Sequence, residues 1–153
     1  NGNNDELEAL IKNKFKLSIF IQKDYKIISD KKNFTWIGRG YPYRWLLFYK
    51  IPLSKINSNP YDIFSSIVQE YNLNITNTDD SDYHSQGSLN NGERDVFRGI
   101  YNNSDTGGPF SLYILDNIND DEVILVASII NNPGKSKIPH ILQIDALISN
   151  IKF

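Results

Sequence analysis

The sequence predicts an α+β fold, in which helices flank a mainly antiparallel sheet of about six strands. Three segments repeat apolar residues at helical spacing, and about six others are rich in β-branched and aromatic residues. Short segments rich in Asn, Asp and Gly join neighbouring strands, and such turns pair strands antiparallel. The predicted order is therefore αβββαβββα.

Length and composition limit what the chain can be. Its 153 residues fit one domain, residues 1–153, and its net charge of −2 provides no basic excess for a nucleic-acid partner. The absence of cysteine excludes disulfides and thiolate metal sites. The chain opens at Asn1 without an initiator Met, so we expect a piece of a longer protein. Any contact with a membrane would then require an anchor missing from this chain.

The first two predicted elements follow from a change in the spacing of apolar residues, from helical spacing to alternation. Asp5 to about Lys14 is predicted as a helix, with acidic residues in its first turn and lysines near its end. From Phe15 to Gln22 apolar residues alternate with others, which predicts a strand with one buried face. We expect a turn at 23–25, followed by a packed Ile27-Ile28 pair.

Two aromatic-rich strands and a helix come next. Phe34–Arg39 and Arg44–Ile51 are predicted as strands joined by a short reversal at 40–43. The second of them has two apolar faces, which places it centrally in the sheet with both sides covered. Asn59 and Pro60 predict a helix start, and helical spacing continues to about Tyr71.

The second half is predicted to be rich in strands. Residues 72–94 are polar and Asn-rich, which indicates a long surface connection. The strands Asp95–Tyr101, Phe110–Leu115 and Glu122–Ile130 follow, with residues 117–121 as a hairpin tip.

The last predicted element is a helix over Ser136–Phe153, with Ser136 as its cap. Its spacing of branched apolar residues predicts a wide buried face. That face consists of Ile138, Ile141, Leu142, Ile144, Leu147, Ile148 and Ile151.

The glycine pair in Gly107-Gly108-Pro109-Phe110 indicates a structural motif. It is too short to bind a phosphate and lacks the Lys that such loops carry. Because a proline keeps the residue before it extended, we expect Gly108 to be extended and Gly107 to hold a positive φ. Substitution at Gly107 should then be the more damaging of the two.

Residues suited to catalysis are few. His84 lies within two residues of Asp82 and Ser85, but such close neighbours on one loop cannot form a triad, whose members converge from separate elements. His140 is expected as a surface imidazole. Asn77, Asp79 and Ser81 begin like a calcium loop, but the Gly and Glu that the loop requires are missing. We therefore expect no catalytic residue, metal or cofactor.

Aromatic and arginine side chains are the better candidates for function, because Trp, Tyr and Arg supply most hot-spot energy at binding surfaces. Plain core packing is the alternative for the same residues. If they bind, at least three should line one concave surface and stay partly accessible. The predicted set is Trp36, Tyr41, Tyr43, Arg44, Arg98 and Tyr101.

Four segments also occur in the order in which a known family carries similar motifs. They are Phe34-Thr35-Trp36-Ile37, Arg98-Gly99-Ile100-Tyr101, Gly107-Gly108-Pro109-Phe110-Ser111 and the helix from Ile141 to Phe153. Together they resemble the C-terminal half of the domain of unknown function 4837 family, over about Asp5 to Phe153. The chain departs from the family pattern at Tyr101, Thr106 and Leu142, where Trp, Met and Arg are usual.

The resemblance implies location and leaves activity open. Members of this family are expected envelope lipoproteins of the Bacteroidota, so it implies a place in the cell envelope, facing the periplasm or on the outer membrane. The element order is also similar to that of PsbP- and Mog1-like domains, which are adaptor and assembly modules; fold alone does not define function.

Two functions follow as expectations. The first is a non-catalytic binding or scaffold module of the cell envelope, with an envelope protein or ligand as its partner. The alternative is a hydrolase-like or metal-assisted enzyme that uses the loop at 72–94.

Overall fold

A computed structural model describes residues 2–56, 59–78, 81–103, 106–115 and 121–153. Within them, three helices flank one antiparallel sheet of eight strands. The helices are α1 (Asp5–Phe15), α2 (Pro60–Glu70) and α3 (Ile138–Ser149). The strands are β1 (Lys26–Lys31), β2 (Phe34–Arg39), β3 (Tyr43–Pro52), β4 (Thr76–Asn77), β5 (Ser85–Leu89), β6 (Arg94–Asn103), β7 (Thr106–Leu115) and β8 (Glu122–Asn131). The α+β class and antiparallel sheet are confirmed, with two strands more than expected.

The sheet order is β1-β2-β3-β8-β7-β6-β4, and β5 also pairs with β6. Strand β3 lies between β2 and β8, so its predicted central position is confirmed. The long strand β8 is apolar almost throughout because its alternate residues enter two separate cores. Among the described residues, no helix is long and apolar enough to cross a bilayer.

Each face of the sheet has its own core. Leu7 and Ile11 of α1 and Ile144 and Ile148 of α3 pack on one face, which we call the α1–α3 face. Phe64 of α2 packs with its neighbours on the other, the α2 face. Because strand side chains alternate, successive residues of β3 and β6 belong to different faces.

The predicted strand at Phe15–Gln22 is wrong. Phe15 ends α1, and residues 17–22 are extended with every second side chain buried, as the alternation indicates. Their backbone forms only isolated bridges, Asn3 with Gln22 and Ser18 with Lys152. Alternation of apolar residues predicts which side chains are buried. It does not predict whether the backbone pairs with a neighbouring strand.

The sequence pattern also did not predict the strands at the two edges of the sheet. Strand β1 is an edge strand, and Ile27 and Ile28 are exposed on it where packing was expected. Within the polar connection at 72–94, β4 and β5 pair with β6. Their hydrogen bonds are made by the backbone, so Ser85–Leu89 forms a strand with almost no apolar signal.

The final helix is shorter than predicted. It begins at Ile138, no side chain caps it, and Ser136 lies outside it. Of the predicted face, Ile144 and Ile148 are buried on α3 and Ile151 is buried beyond its end, whereas Ile138 and Leu142 are exposed. The buried stripe is narrow because the sheet contacts only one side of the helix. The hairpin tip at 117–121 lies largely outside the described residues.

Candidate binding site

A cleft opens on the α2 face at the end of the sheet where β3 and β8 meet the ends of β6 and β7. We call it the aromatic cleft. It has a volume of about 240 Å³ and is lined by Tyr43, Trp45, Ile75, Tyr101, Asn103, Ile129 and Asn131. Tyr43 and Trp45 lie two positions apart on β3, which places both on the same face.

Aromatic contacts extend the wall of the cleft. The rings of Trp36 and Trp45 meet edge to face with centroids 4.7 Å apart. Those of Tyr41 and Tyr43 do so at 5.7 Å, and both tyrosines are exposed. Such edge-to-face pairs fix ring orientation and so preorganise the wall.

One polar atom in the lining has no partner among the described residues. Asn131 Oδ1 is buried and accepts no hydrogen bond from them, and Trp36 Nε1, which lies behind the Trp45 ring, is likewise buried with no acceptor among them. An unsatisfied buried acceptor costs about 1–3 kcal/mol unless a donor reaches it. The cleft therefore favours a flat apolar group that carries an N–H or O–H donor.

Tyr101 closes the floor by lying across Gly108. Its hydroxyl donates to the carbonyl of Ile130 over 2.9 Å. A Cβ on Gly108 would lie 2.3 Å from that carbonyl oxygen and 3.1 Å from the Tyr101 hydroxyl. The glycine is thus required by close approach of the neighbouring chain.

The expected positive φ at Gly107 is wrong. The described glycines with positive φ are Gly92 and Gly134, whereas Gly107 and Gly108 lie inside β7 and pair with β6. A Cβ on Gly108 would lie closer to a backbone oxygen than one on Gly107, 2.3 Å against 2.7 Å, so we expect substitution at Gly108 to be the more damaging. Phe110, the last residue of the motif, stacks on Phe64 at 3.9 Å, and its ring occupies the space that a side chain at Gly99 would need.

The structure divides the predicted binding set between two faces. Tyr43 and Tyr101 line the cleft, although Tyr101 is buried, and Trp36 and Tyr41 adjoin it. Arg44 and Arg98 contact α3 on the opposite face, so only two of the six residues line the cleft, fewer than the three accessible ones expected. Sequence reasoning left Trp45 and Asn131 out of the site. The two-residue spacing from Tyr43 to Trp45 is a signal that could have included Trp45.

Arg98 joins the sheet to α3. Its two Nη atoms donate to both oxygens of Asp145, over 3.1 and 2.7 Å, and Nη1 also donates to Ser111. The Tyr113 hydroxyl donates to the same carboxylate over 2.6 Å. Burial, and then this hydrogen bond, raise the pKa of Tyr113 well above its usual range, so it stays a donor. The cluster is structural.

Replacing Asp145 with Asn should therefore lower the free energy of unfolding by about 2 kcal/mol, because Arg98 loses its counter-charge in a partly buried position. Urea denaturation measures this. Asp95→Asn, at an exposed carboxylate on β6, is the control and should change stability by less than about 0.5 kcal/mol. Equal stability of the two variants would contradict the structural role.

Tyr101 should make stability fall with rising alkaline pH. Burial raises its pKa to about 12, against 10.0 for a free tyrosine. Because the folded protein holds this proton more tightly than the unfolded chain, Tyr101 leaves stability unchanged below pH 10 and lowers it by about 2–3 kcal/mol as pH rises from 10 to 12. Tyr101→Phe should lose about 1 kcal/mol at pH 7 and then fall less steeply above pH 10. Parallel curves of unfolding free energy for the two proteins would contradict this.

The structure also shows the surroundings of His84 and of the candidate metal ligands. The His84 ring stacks on Tyr61 at 3.6 Å, and its Nε2 lies 3.0 Å from the Thr78 carbonyl oxygen. Within the described ranges, no group of three or more His, Cys, Asp or Glu side chains could hold a metal ion. Asp79 and Asp80 lie outside those ranges.

The fold and the cleft define an α+β domain with an aromatic pocket on one face of an antiparallel sheet. The model of the family described as Domain of unknown function (DUF4837) matches residues 4–150. The chain belongs to that family. Two of the family motifs have structural roles in this fold, since Tyr101 lies over Gly108 and the Phe110 ring lies over Gly99.

A crystal structure from Bacteroides thetaiotaomicron VPI-5482 is similar over 89% of this chain and 44% of that chain, at 13% identity and a TM-score of 0.49. The present chain thus spans less than half the length of that protein. No protein of curated function matches it.

Proposed function

We propose that this domain is a non-catalytic binding or scaffold module of the cell envelope, and that it binds a partner protein at the aromatic cleft. The observation that carries the proposal is the cleft itself, in which Tyr43 and Trp45 stand beside the unpartnered Asn131 oxygen. Trp and Tyr next to a desolvated polar group are typical of binding hot spots.

The occupant that best fits is an aromatic side chain with a donor, a Tyr or Trp on an exposed segment of the partner. Its ring would stack on Tyr43 or Trp45, and its O–H or N–H would donate to Asn131 Oδ1 after the Asn131 amide turns from its buried position toward the cleft. Placement in the envelope rests on the family resemblance. It is tested by fractionating cells that produce the natural full-length protein.

Binding is tested by capturing partners on the purified domain and comparing two matched variants. Tyr43 is 51% exposed at the cleft, and Tyr83 is 56% exposed elsewhere. Tyr43→Ser should lose a captured partner, with binding weakened about tenfold or more, whereas Tyr83→Ser should retain it. The isolated partner should also change the fluorescence of Trp45. Equal capture by both variants, or unchanged fluorescence, would contradict the proposal.

The enzyme alternative has no described observation in its favour. In the connection at 72–94, the ring of His84 is stacked and its Nε2 contacts a backbone oxygen, which is typical of a structural histidine.

A further inference from the structure

A second feature lies on the α1–α3 face, at the hairpin end of β2 and β3. Arg39 and Arg44 are directly opposite each other on these strands. Arg44 is only 8% exposed, and its donors reach just the Pro42 carbonyl at 3.2 Å and the Gln143 side-chain oxygen at 3.4 Å. Among the described residues, no carboxylate pairs with it.

The neighbouring groups do not balance this charge. Asp24 pairs with Arg39 over 2.7 Å, and the Arg39 Nε is buried with no hydrogen-bond partner in the described part of the chain. Burial raises the pKa of Tyr25, so its hydroxyl remains neutral. Burial, and then the charges of Arg44 and Arg39, lower the pKa of His140. Two guanidinium groups therefore share one carboxylate, and a buried unpaired charge is costly unless an anion compensates it.

An apolar groove adjoins the two arginines. It has a volume of about 300 Å³ and runs between α3 and the segment before β1. Two of its lining residues contact the arginines, since Gln143 accepts from Arg44 and the Tyr25 ring lies 5.5 Å from the Arg39 guanidinium. Its apolar lining includes Phe20, Ile144 and Leu147, of which Phe20 is exposed.

We propose that the groove and the arginine pair bind a carboxylate with an apolar chain, of the class and size of a medium-chain fatty acid. The carboxylate would take the place of the Gln143 amide oxygen on Arg44, because a guanidinium fork matches a carboxylate and the exposed Gln143 side chain would turn outward into solvent. The chain would lie along Phe20 and Leu147. This site is on the face opposite the aromatic cleft, so it is independent of the proposed function.

Calorimetric titration of the purified domain with decanoate, decanol and butyrate tests the proposal. Decanoate should bind at least about tenfold more tightly than either of the others, because only decanoate has both the charge and the chain. Equal binding of decanol, or no binding of decanoate at millimolar concentration, would overturn it.

Two variants locate the site. Arg44→Gln should weaken decanoate about tenfold or more, while Lys55→Gln, an exposed charge outside the groove, should not. Phe20→Ser, at an exposed position, should reduce the advantage of decanoate over butyrate. Undiminished binding in Arg44→Gln would overturn the proposal. If Arg44→Gln fails to fold, the comparison of decanoate with decanol on the unaltered protein decides the matter.

Discussion

Replacing Gly108 with alanine should lower the free energy of unfolding by about 3 kcal/mol or more. The added methyl group would lie 2.3 Å from the Ile130 carbonyl oxygen, which belongs to the backbone and cannot turn away. Relief requires β7 and β8 to move apart, and that movement breaks the Tyr101 hydrogen bond to the same oxygen. The clash and the lost hydrogen bond both destabilise the fold.

Urea denaturation of the Gly108→Ala protein measures the loss, and Gly87→Ala is the matched control. A Cβ on Gly87 would meet only a Val96 methyl group at 3.7 Å, which is ordinary contact. That change should be neutral or stabilise by about 0.5 kcal/mol, since alanine restricts the unfolded chain. A Gly108→Ala protein as stable as the Gly87→Ala protein would show that close approach does not explain the motif.

Replacing Ile144 with Asp should destabilise the protein by more than about 3 kcal/mol. Ile144 is 2% exposed and packs α3 on the sheet. The substitution removes a buried apolar side chain and leaves a charge without a partner in its place. The variant should unfold at a much lower urea concentration, or fail to fold at 25 °C.

Leu142→Asp is the control for this change. Leu142 lies on the same helix but is 61% exposed, so its replacement should alter stability by less than about 0.5 kcal/mol. Similar losses at the two positions would mean that α3 packs through a wider face than the structure shows. An unchanged melting temperature in Ile144→Asp would contradict the packing of α3 altogether.

Side-chain patterns located most of the elements. The cap at Asn59 with Pro60, the strand Phe34–Arg39 and the central strand β3 lie where apolar spacing and turn residues indicate. The side chains within each of these segments determine which residues are buried, so the pattern that predicts the element lies within the segment itself. The edge strands β1 and β5 lack that signal because their pairing depends on the backbone of a neighbour.

The candidate site was predicted only in part. Residue type singled out both Tyr43 and Arg44 for one binding surface, but adjacent residues of a strand point to opposite faces. Tyr43 therefore lines the aromatic cleft, while Arg44 enters the arginine pair on the other side. Asn131 was not in the predicted set, because only the pairing of β3 with β8 places its side chain in the cleft, where its oxygen has no partner among the described residues.

The sequence by itself determined the α+β class, the antiparallel sheet, the family motifs and most apolar core positions, because each depends on residue type and on spacing within a segment. Only the tertiary structure decided which distant residues meet. It placed Tyr101 over Gly108, paired Arg98 with Asp145 and, among the described residues, left Arg44 without a carboxylate partner. These contacts join residues far apart in the chain, and their energies depend on distances that no local pattern encodes.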